Sequence, residues 1–254
     1  LFAGHLGGAA VTLDYALYYT VVIMGTYVKN LAAVGVTWRI MRDVGNIIII
    51  FGFLAIGISI ILNTEKLGYG KKMLPMLLVA AVFINFSLFI SEAVIDTGNL
   101  FATQFYTQIK GGTLTTQSYL SNTSFLQQIE NEGISNKIMS QLGLATIYRS
   151  ARDGKVFAGT NVLFIGFMSM ILFVIAAFVM FSLAFILLAR FVILLFLIIL
   201  APIGFAGLAV PQLKSTADKW WSEIFKQTLT APILLLLLYI ALAIITDAQF
   251  LTGF

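Results

Sequence analysis

The fold class of this chain follows from residues 160–210, which read TNVLFIGFMSMILFVIAAFVMFSLAFILLARFVILLFLIILAPIGFAGLAV. Arg190 is the one charged residue in this apolar run. A membrane-spanning helix needs about 20 apolar residues at a rise of about 1.5 Å each. The run is therefore too long for one span, and it predicts two spans joined by a tight turn near Ala189–Arg190.

The composition of the whole chain is typical of a protein embedded in lipid. Of its 254 residues, 60% are hydrophobic and 10% are charged, and the mean hydropathy is +0.99. A soluble domain carries about 25% charged residues. The chain is therefore predicted to be an all-α polytopic transmembrane helix bundle whose outer surface contacts membrane lipid.

Further apolar segments bring the prediction to about six spans. They are Ala9–Val28, Val44–Leu62, Met73–Ile95 and Leu229–Thr246. The first is the weakest candidate because Asp14 interrupts it, and whether it crosses the membrane stays open. Pro232 lies in the first turn of the last segment, where the missing N–H costs little.

The segments divide the chain into three regions. Residues 1–95 form an N-terminal membrane region with three spans, and residues 160–254 form a C-terminal membrane region with three more. Residues 96–159 are rich in Ser, Thr, Gln, Asn and Gly, which predicts a long polar extramembrane region. At this length the polar region is small for an independent domain, so we expect it to pack on its own bundle or on a partner.

Residues 213–228 predict an amphipathic helix that lies at the membrane interface. One face is apolar and includes Trp220 and Trp221, while the opposite face carries Lys214 and Lys219. Trp rings suit the headgroup level of a bilayer, where lysines reach water. A surface helix that packs on a partner protein would show the same pattern, and both interpretations stay open.

A shorter stripe of the same kind precedes the second span. Trp38 lies on its apolar face, while Arg39 and Arg42 lie off it. We expect Arg39, Arg42 and Asp43 to fix this connector at the cytoplasmic interface, because basic residues accumulate on that side.

The orientation of the chain follows less firmly from its basic residues. With six spans, residues 29–43, 96–159 and 211–228 share one side and hold 11 of the 15 Lys and Arg residues. The positive-inside rule places this side in the cytoplasm, but long loops count weakly in that rule. The side that residues 96–159 face therefore stays open.

Polar residues within the third span have three interpretations. Asn85, Glu92 and Asp96 fall on one face of a helix. Glu92 and Asp96 can simply meet water at the helix end, Asn85 can bond between helices, or the three can line an ion path.

Arg190 and Pro202 interrupt the apolar helices predicted in the C-terminal region, the first by its charge and the second as a helix breaker. At the predicted turn, Arg190 would extend its charge to the interface. Pro202 lies within a span and removes a helix hydrogen bond, which predicts a kink or, alternatively, a gating hinge. Gly204 and Gly207 are expected to allow close helix approach.

Signatures of an enzyme are absent from the sequence. There is no Cys and one His, His5, and the phosphate-binding, zinc-protease and nucleophile-elbow motifs are missing. We therefore expect a non-enzymatic protein without catalytic, cofactor or metal residues. No basic cluster with interleaved aromatics appears, so no direct sequence-specific nucleic-acid binding is expected.

Two sets of residues resemble the TrbL family of bacterial membrane proteins. The first set comprises Trp38–Asn46, Gly68–Pro75, Ile84–Ser87 and Ile95–Asp96, and the second comprises Arg190–Leu194, Leu200–Ala206, Pro211, Trp220–Trp221 and Ala231–Pro232. That family is the polytopic inner-membrane subunit of type IV secretion and conjugation systems, the counterpart of the sixth VirB component. Its large central loop is usually periplasmic, whereas the charge count here favours the cytoplasm.

The resemblance implies a multi-pass subunit of the bacterial inner membrane. Such a subunit forms homo-oligomers, contacts an ATPase and other secretion subunits, and helps to move DNA, protein or pilin. In that setting Asn85 would bond between helices, Pro202 would set a kink, and Trp220 and Trp221 would dock the last connector. The alternative is a small secondary transporter or ion channel that works as a homo-oligomer, with Asn85, Glu92 and Arg190 near its pathway.

Overall fold

The computed structural model describes residues 2–62, 73–110, 133–141 and 162–246, and all regular structure in these ranges is helical. Most of the predicted polar region, residues 111–132 and 142–159, lies outside the described residues. Residues 63–72, which include part of the first set resembling the TrbL family, also lie outside them.

The described residues of the N-terminal half form four helices. Helix α1 (Phe2–Leu17) continues into a single π-helical turn at Tyr18–Val22. Helix α2 (Met24–Asn30) is short, and helix α3 (Ala32–Ile61) is long. Helix α4 (Leu74–Lys110) extends well beyond the predicted third span.

The described residues of the C-terminal half also form four helices. The short helix α5 (Ile134–Gln141) lies within the predicted polar region. Helix α6 (Val162–Ile199) is followed by the short helix α7 (Ala201–Ala209). A 3₁₀ turn at Pro211–Leu213 then leads into helix α8 (Lys214–Thr246).

In the described part of the chain, four helices are long and apolar enough to cross a membrane, whereas six spans were predicted. They lie at Ala32–Ile61, Leu74–Ile109, Gly166–Ile199 and Pro211–Ile245. A fifth is added if the broken pair His5–Val22 and Met24–Asn30 counts as one span. By length and composition, the chain is thus a multi-pass helical membrane protein.

The tight turn predicted near Ala189–Arg190 is wrong. Helix α6 runs without interruption from Val162 to Ile199, because an Arg has high helix propensity and does not break a helix. The break comes at Leu200, and Pro202 lies in the first turn of α7, where its missing N–H is tolerated. Pro202 therefore follows the break between α6 and α7 and does not kink a single helix.

Three predicted boundaries also fall inside helices. The segments 213–228 and 229–246 form one helix, α8, with Pro232 inside it. The connector with Trp38, Arg39 and Arg42, predicted to precede the second span, is the beginning of α3. The boundary predicted at residue 95 lies within α4. Helix α4 continues because Ala102, Tyr106 and Ile109 extend its buried stripe at helical spacing.

The chain divides into two compact units, and their residue ranges are not those of the three predicted regions. The first unit comprises Leu1–Ile23, Leu100–Ala189 and Ala231–Phe254, and the second comprises Met24–Asn99 and Arg190–Thr230. Each unit has its own apolar core. The core of the first includes Leu6, Leu13, Ile134, Met180 and Leu235, and that of the second includes Ile56, Leu77, Ile84, Leu194 and Trp220.

Candidate functional site

Arg190 is the most deeply buried charged side chain in the described part of the protein, with 1% of its surface exposed. Its Nε donates a hydrogen bond to the carbonyl oxygen of Gln227, and its Nη2 donates to Oδ1 of Asn99, both at 2.7 Å. A buried charge is tolerated only when hydrogen bonds replace its lost hydration. These bonds fix Arg190 inside the second unit.

The hydrogen bonds around Arg190 continue into a polar network that joins four helices. The side-chain amide of Asn99 (on α4) donates to the sulfur of Met24 (on α2) at 3.3 Å. The side-chain amide of Gln227 (on α8) donates to Oε1 of Glu223 at 2.5 Å. We call these five residues, Met24, Asn99, Arg190, Glu223 and Gln227, the Arg190 network.

Beside the Arg190 network, α4 and α8 approach each other closely. A Cβ added at Gly98 would overlap Cγ2 of Thr228 and lie 2.8 Å from its carbonyl oxygen, so only glycine fits. Pro232, four residues after Thr228, has no N–H to donate to that carbonyl. The hydroxyl of Thr228 is buried and has no hydrogen-bond partner within the described ranges.

Trp220 fixes α8 against the end of α6 and against α7. Its indole N–H donates to the carbonyl oxygen of Leu197 at 2.9 Å, and only 6% of the residue is exposed. A Cβ added at Gly204 would overlap its ring, which confirms the predicted close approach at this glycine. Phe205 and Trp221 complete an aromatic cluster, with centroids 5.7 and 4.9 Å from that of Trp220.

Trp38 plays a similar part at the beginning of α3. Its indole N–H donates to the hydroxyl of Ser87 at 3.0 Å, and the Arg42 guanidinium lies 5.4 Å from its ring centroid. Arg42 also pairs with Asp43 at 2.9 Å, whereas Arg39 is exposed. Trp38 and Trp220 are both buried against neighbouring helices, at 9% and 6% exposed, and their expected position at the headgroup level stays a prediction.

The polar face predicted on the third span lies largely outside the core. Asn85 is exposed and donates to the carbonyl oxygen of Ala81, one turn earlier in its own helix. The expected bond from Asn85 to another helix is therefore absent from the described residues. A polar side chain at this position satisfies its amide locally, as Ser and Thr do along the same helix.

Glu92 and Asp96 lie together at a small cavity in the second unit. The cavity has a volume of about 10 Å³, room for roughly one water molecule, and its polar lining comes from Glu92, Asp96 and Lys29. A Cβ added at Gly25 would lie 3.0 Å from the Asp96 carboxylate. These groups form a mixed-charge site between α2 and α4, and neither acid is at a helix end as one interpretation expected.

Lys214 and Lys219 lie on the exposed side of α8. They line an open surface groove with Ser215, Asp218, Ser222 and Glu223. This side of the helix is opposite Trp220, as the sequence pattern predicts.

Asp14, the carboxylate that interrupts the first apolar segment, is buried and hydrogen-bonded in the first unit. It is 7% exposed and accepts hydrogen bonds from the backbone N–H of Ser135, at 3.3 Å, and from the Ser135 hydroxyl. Ser135 lies in the first turn of α5, whose free N–H groups favour a negative partner. Asp14 thereby holds α5 against α1.

Sequence reasoning missed Asn99, Gln227, Ser87 and Asp14 as buried polar contacts. One signal was present for α4, where small or polar residues recur at helical spacing among apolar ones. The buried stripe of that helix is Leu77, Ala80, Ile84, Ser87, Ser91, Ile95, Gly98 and Ala102. Small and hydroxyl-bearing residues at such spacing are typical of helix contacts in membranes.

The described residues contain no group of three His, Cys, Asp or Glu side chains that could hold a metal ion. No protein family, curated protein or solved structure matches the chain. Its functional interpretation therefore depends on its own geometry, that of a multi-pass helical membrane protein with a buried arginine network and two tryptophan contacts.

Proposed function

We propose that this chain is a non-enzymatic inner-membrane subunit of a bacterial type IV secretion-like apparatus, structural or channel-forming. It would help to move DNA, protein or pilin across the envelope. The proposal begins from the resemblance to the TrbL family. One observation supports it, which is that residues from both resembling sets meet in the core of the second unit.

One contact joins the two sets, and two others hold together the residues of each set. A Cβ added at Gly45, in the first set, would lie 3.5 Å from Pro202, in the second. Trp38 bonds to Ser87 within the first set. Trp220 packs on Gly204 within the second. Residues far apart in sequence thus form one packed structure.

The surface of the helices also favours membership of an assembly in the membrane. Within one 18-residue apolar stretch of each of the four candidate spans, between 28% and 33% is buried by the chain. The remaining apolar surface needs lipid, further copies of the chain or other subunits. We propose homo-oligomers together with other secretion subunits, including an ATPase, because this chain has no nucleotide-binding loop.

The alternative function is a small secondary transporter or ion channel. The Arg190 network and the cavity at Lys29, Glu92 and Asp96 favour it, because ionisable groups inside a membrane protein often mark a pathway. In that case Glu92→Gln would stop solute movement by the purified protein in liposomes.

Gentle-detergent purification of the tagged protein from its native membrane, followed by mass spectrometry, tests the proposal. We expect an ATPase and other envelope subunits to copurify. The double variant Trp220→Ala with Trp221→Ala should still insert into the membrane but assemble into a smaller complex on a native gel. The matched control is Ser222→Ala on the exposed side of the same helix.

Two results would contradict the proposal. Recovery of the protein alone, as a monomer or simple homo-oligomer, would favour the transporter or channel, and liposome flux would become the decisive measurement. An unchanged complex size in the double tryptophan variant would show that Trp220 and Trp221 do not support assembly.

A further inference from the structure

Helix α5 is a short amphipathic segment whose apolar side is buried in the first unit. Ile134, Ile138 and Met139 are at most 9% exposed and belong to the core of that unit, whereas Lys137 is exposed. The principal contact of α5 among the described helices is with α1. A helix of eight residues is marginal in water on its own, so α5 depends on this contact for its helical structure.

The contact between α1 and α5 is specific because a carboxylate lies inside it. Asp14 of α1 accepts hydrogen bonds from the backbone N–H and the hydroxyl of Ser135. Ser135 lies in the first turn of α5, where free N–H groups favour an anion. A Cβ added at Gly133 would overlap this carboxylate, so only glycine fits just before α5. Together with the apolar side of α5, these contacts define a docking site on α1 for a segment of this pattern.

The segments that connect α5 to the rest of its own copy are long. They are residues 111–132 and 142–161, and an extended chain of about 20 residues spans up to about 70 Å. Helices that pack against each other lie about 8–10 Å apart. The covalent connections are therefore long enough for α5 to reach α1 of an adjacent copy as well as its own.

Exchange of α5 between copies would retain every contact that the docking site provides. The hydrogen bonds to Asp14 and the burial of Ile134 and Ile138 are the same whether α5 comes from the same copy or from a neighbour. Exchange of an identical element between copies is a low-cost route to homo-oligomers. Once copies associate, the neighbouring docking sites are held close, which raises their effective concentration for α5.

The exposed side of α1 is better suited to a neighbouring protein or water than to lipid. Along α1 and its π-helical turn this side carries His5, Tyr15 and Tyr19, and the two tyrosine rings stack 6.0 Å apart. In the same unit, the exposed side of α6 carries large apolar side chains such as Phe178 and Phe185. Acyl chains suit those rings, whereas imidazole and phenol groups favour polar surroundings. Of these two helices, α1 is therefore the better suited to lie beside another copy.

We propose that α5 of one copy docks on α1 of a neighbouring copy when the protein forms homo-oligomers, so that Asp14 and Ser135 pair between chains. Each copy both donates an α5 and accepts one, and the exchanged helices link the copies of the oligomer. The inference rests on the self-association in the proposed function, and it requires neither an ATPase nor other secretion subunits.

Disulfide cross-linking tests this inference, because the chain has no native Cys. Two differently tagged copies, one with Asp14→Cys and one with Ser135→Cys, are expressed together, and their native membranes are oxidised with copper phenanthroline. A non-reducing gel probed for both tags then detects a disulfide between copies. The matched control replaces the second variant by Ser140→Cys, on the exposed side of α5.

Two further variants show whether α1 and α5 are paired at all. One carries Asp14→Cys and Ser135→Cys in the same chain. The other is Lys137→Cys modified with a benzophenone maleimide, which retains the native contact between Asp14 and Ser135 and is read by mass spectrometry of photo-cross-linked peptides.

We expect the mixed copies with Asp14→Cys and Ser135→Cys to give a dimer band that reductant abolishes. This band should be several-fold stronger than that of the Ser140→Cys control. The chain with both substitutions should form dimers and larger species, and the benzophenone at position 137 should attach to α1 of a copy with the other tag.

Three outcomes would overturn the inference. The chain with both cysteines could run only as an internally linked monomer, with no dimer from the mixed copies. The Ser135→Cys and Ser140→Cys mixtures could give equal dimer bands. Neither a disulfide nor a photo-cross-link to α1 could form, which would remove the contact itself. Failure of the secretion assignment is distinct, because a disulfide-linked dimer from a protein that copurifies without an ATPase would contradict that assignment and support the exchange of α5.

Discussion

Arg190 and Gln227 are joined by a 2.7 Å hydrogen bond from the guanidinium Nε to the backbone carbonyl oxygen. The bond links the last third of one candidate span to a turn of another that lies shortly before Pro232. Pro232 has no N–H for the carbonyl of Thr228, one residue after Gln227. Arg190 therefore adds a donor from another helix beside the turn that the proline interrupts.

Replacement of Arg190 by Ala should strongly destabilise the protein. It removes one donor from the carbonyl of Gln227 and one from Oδ1 of Asn99, and it leaves a space where the buried guanidinium lay. We expect a loss of about 1–3 kcal/mol in the free energy of unfolding, measured by denaturant titration in detergent. Arg39→Ala, at an exposed position of α3, is the matched control and should change it by less than about 0.5 kcal/mol. Equal stability of the two variants would contradict the role of the network.

Replacement of Gly204 by Ala should separate α7 from α8. The new methyl group would overlap the Trp220 ring, and overpacking of this kind costs about 1–3 kcal/mol. The midpoint of thermal unfolding and the Trp fluorescence maximum report the change. Gly57→Ala, in α3 where a Cβ meets no atom within 4 Å, should instead stabilise its helix by roughly 0.5–1 kcal/mol. If both variants lost the same stability, the close contact at Gly204 would not be the cause.

Trp220→Phe and Trp221→Phe should differ although the two residues are neighbours. The first substitution removes the bond to the Leu197 carbonyl, worth about 0.5–1.5 kcal/mol net. The indole N–H of Trp221 is buried without a hydrogen-bond partner within the described ranges, so its loss should cost nothing in hydrogen bonding. Parallel unfolding curves in one detergent test this order, and a larger loss at Trp221 would reverse it.

Replacement of Asp14 by Ala should release α5 from α1. The carboxylate holds the first turn of α5 through Ser135, and loss of such a contact costs about 0.5–2 kcal/mol. Hydrogen exchange followed by mass spectrometry should show faster exchange in Ile134–Gln141, with α3 unchanged. Thr12→Ala, whose hydroxyl bonds within α1 to Gly8, is the control and should leave the exchange of α5 unaltered.

The sequence predicted the helical and apolar character of the chain well, but it predicted the helix boundaries poorly. Apolar composition identified a membrane protein with helices alone, because lipid forces backbone groups to bond internally. It misplaced a turn at Arg190 because a charge in an apolar run was interpreted as an interface residue. The structure instead buries this charge with Asn99 and Gln227, which the sequence places 91 and 37 residues away.

The candidate sites were predicted in the same uneven way: features of a single helix were predicted, and contacts between helices were not. The amphipathic pattern of residues 213–228 correctly predicted which side of α8 is apolar, since helical periodicity is local. It could not predict that Trp220 bonds to Leu197 and packs on Gly204, because those residues lie on other helices. Asn85 was expected to bond another helix, and its amide instead donates to the carbonyl of Ala81, one turn earlier on its own helix.

The sequence by itself determined that the chain is helical, apolar and without disulfides or thiol chemistry, because these properties depend on composition and on spacings within one helix. Only the tertiary structure decided which polar residues are buried and what they bind. The partners of Arg190, Trp38, Trp220 and Asp14 come from distant segments, and their selection depends on close helix approach at residues such as Gly98 and Gly204. No local pattern records such contacts, because each is a property of two helices at once.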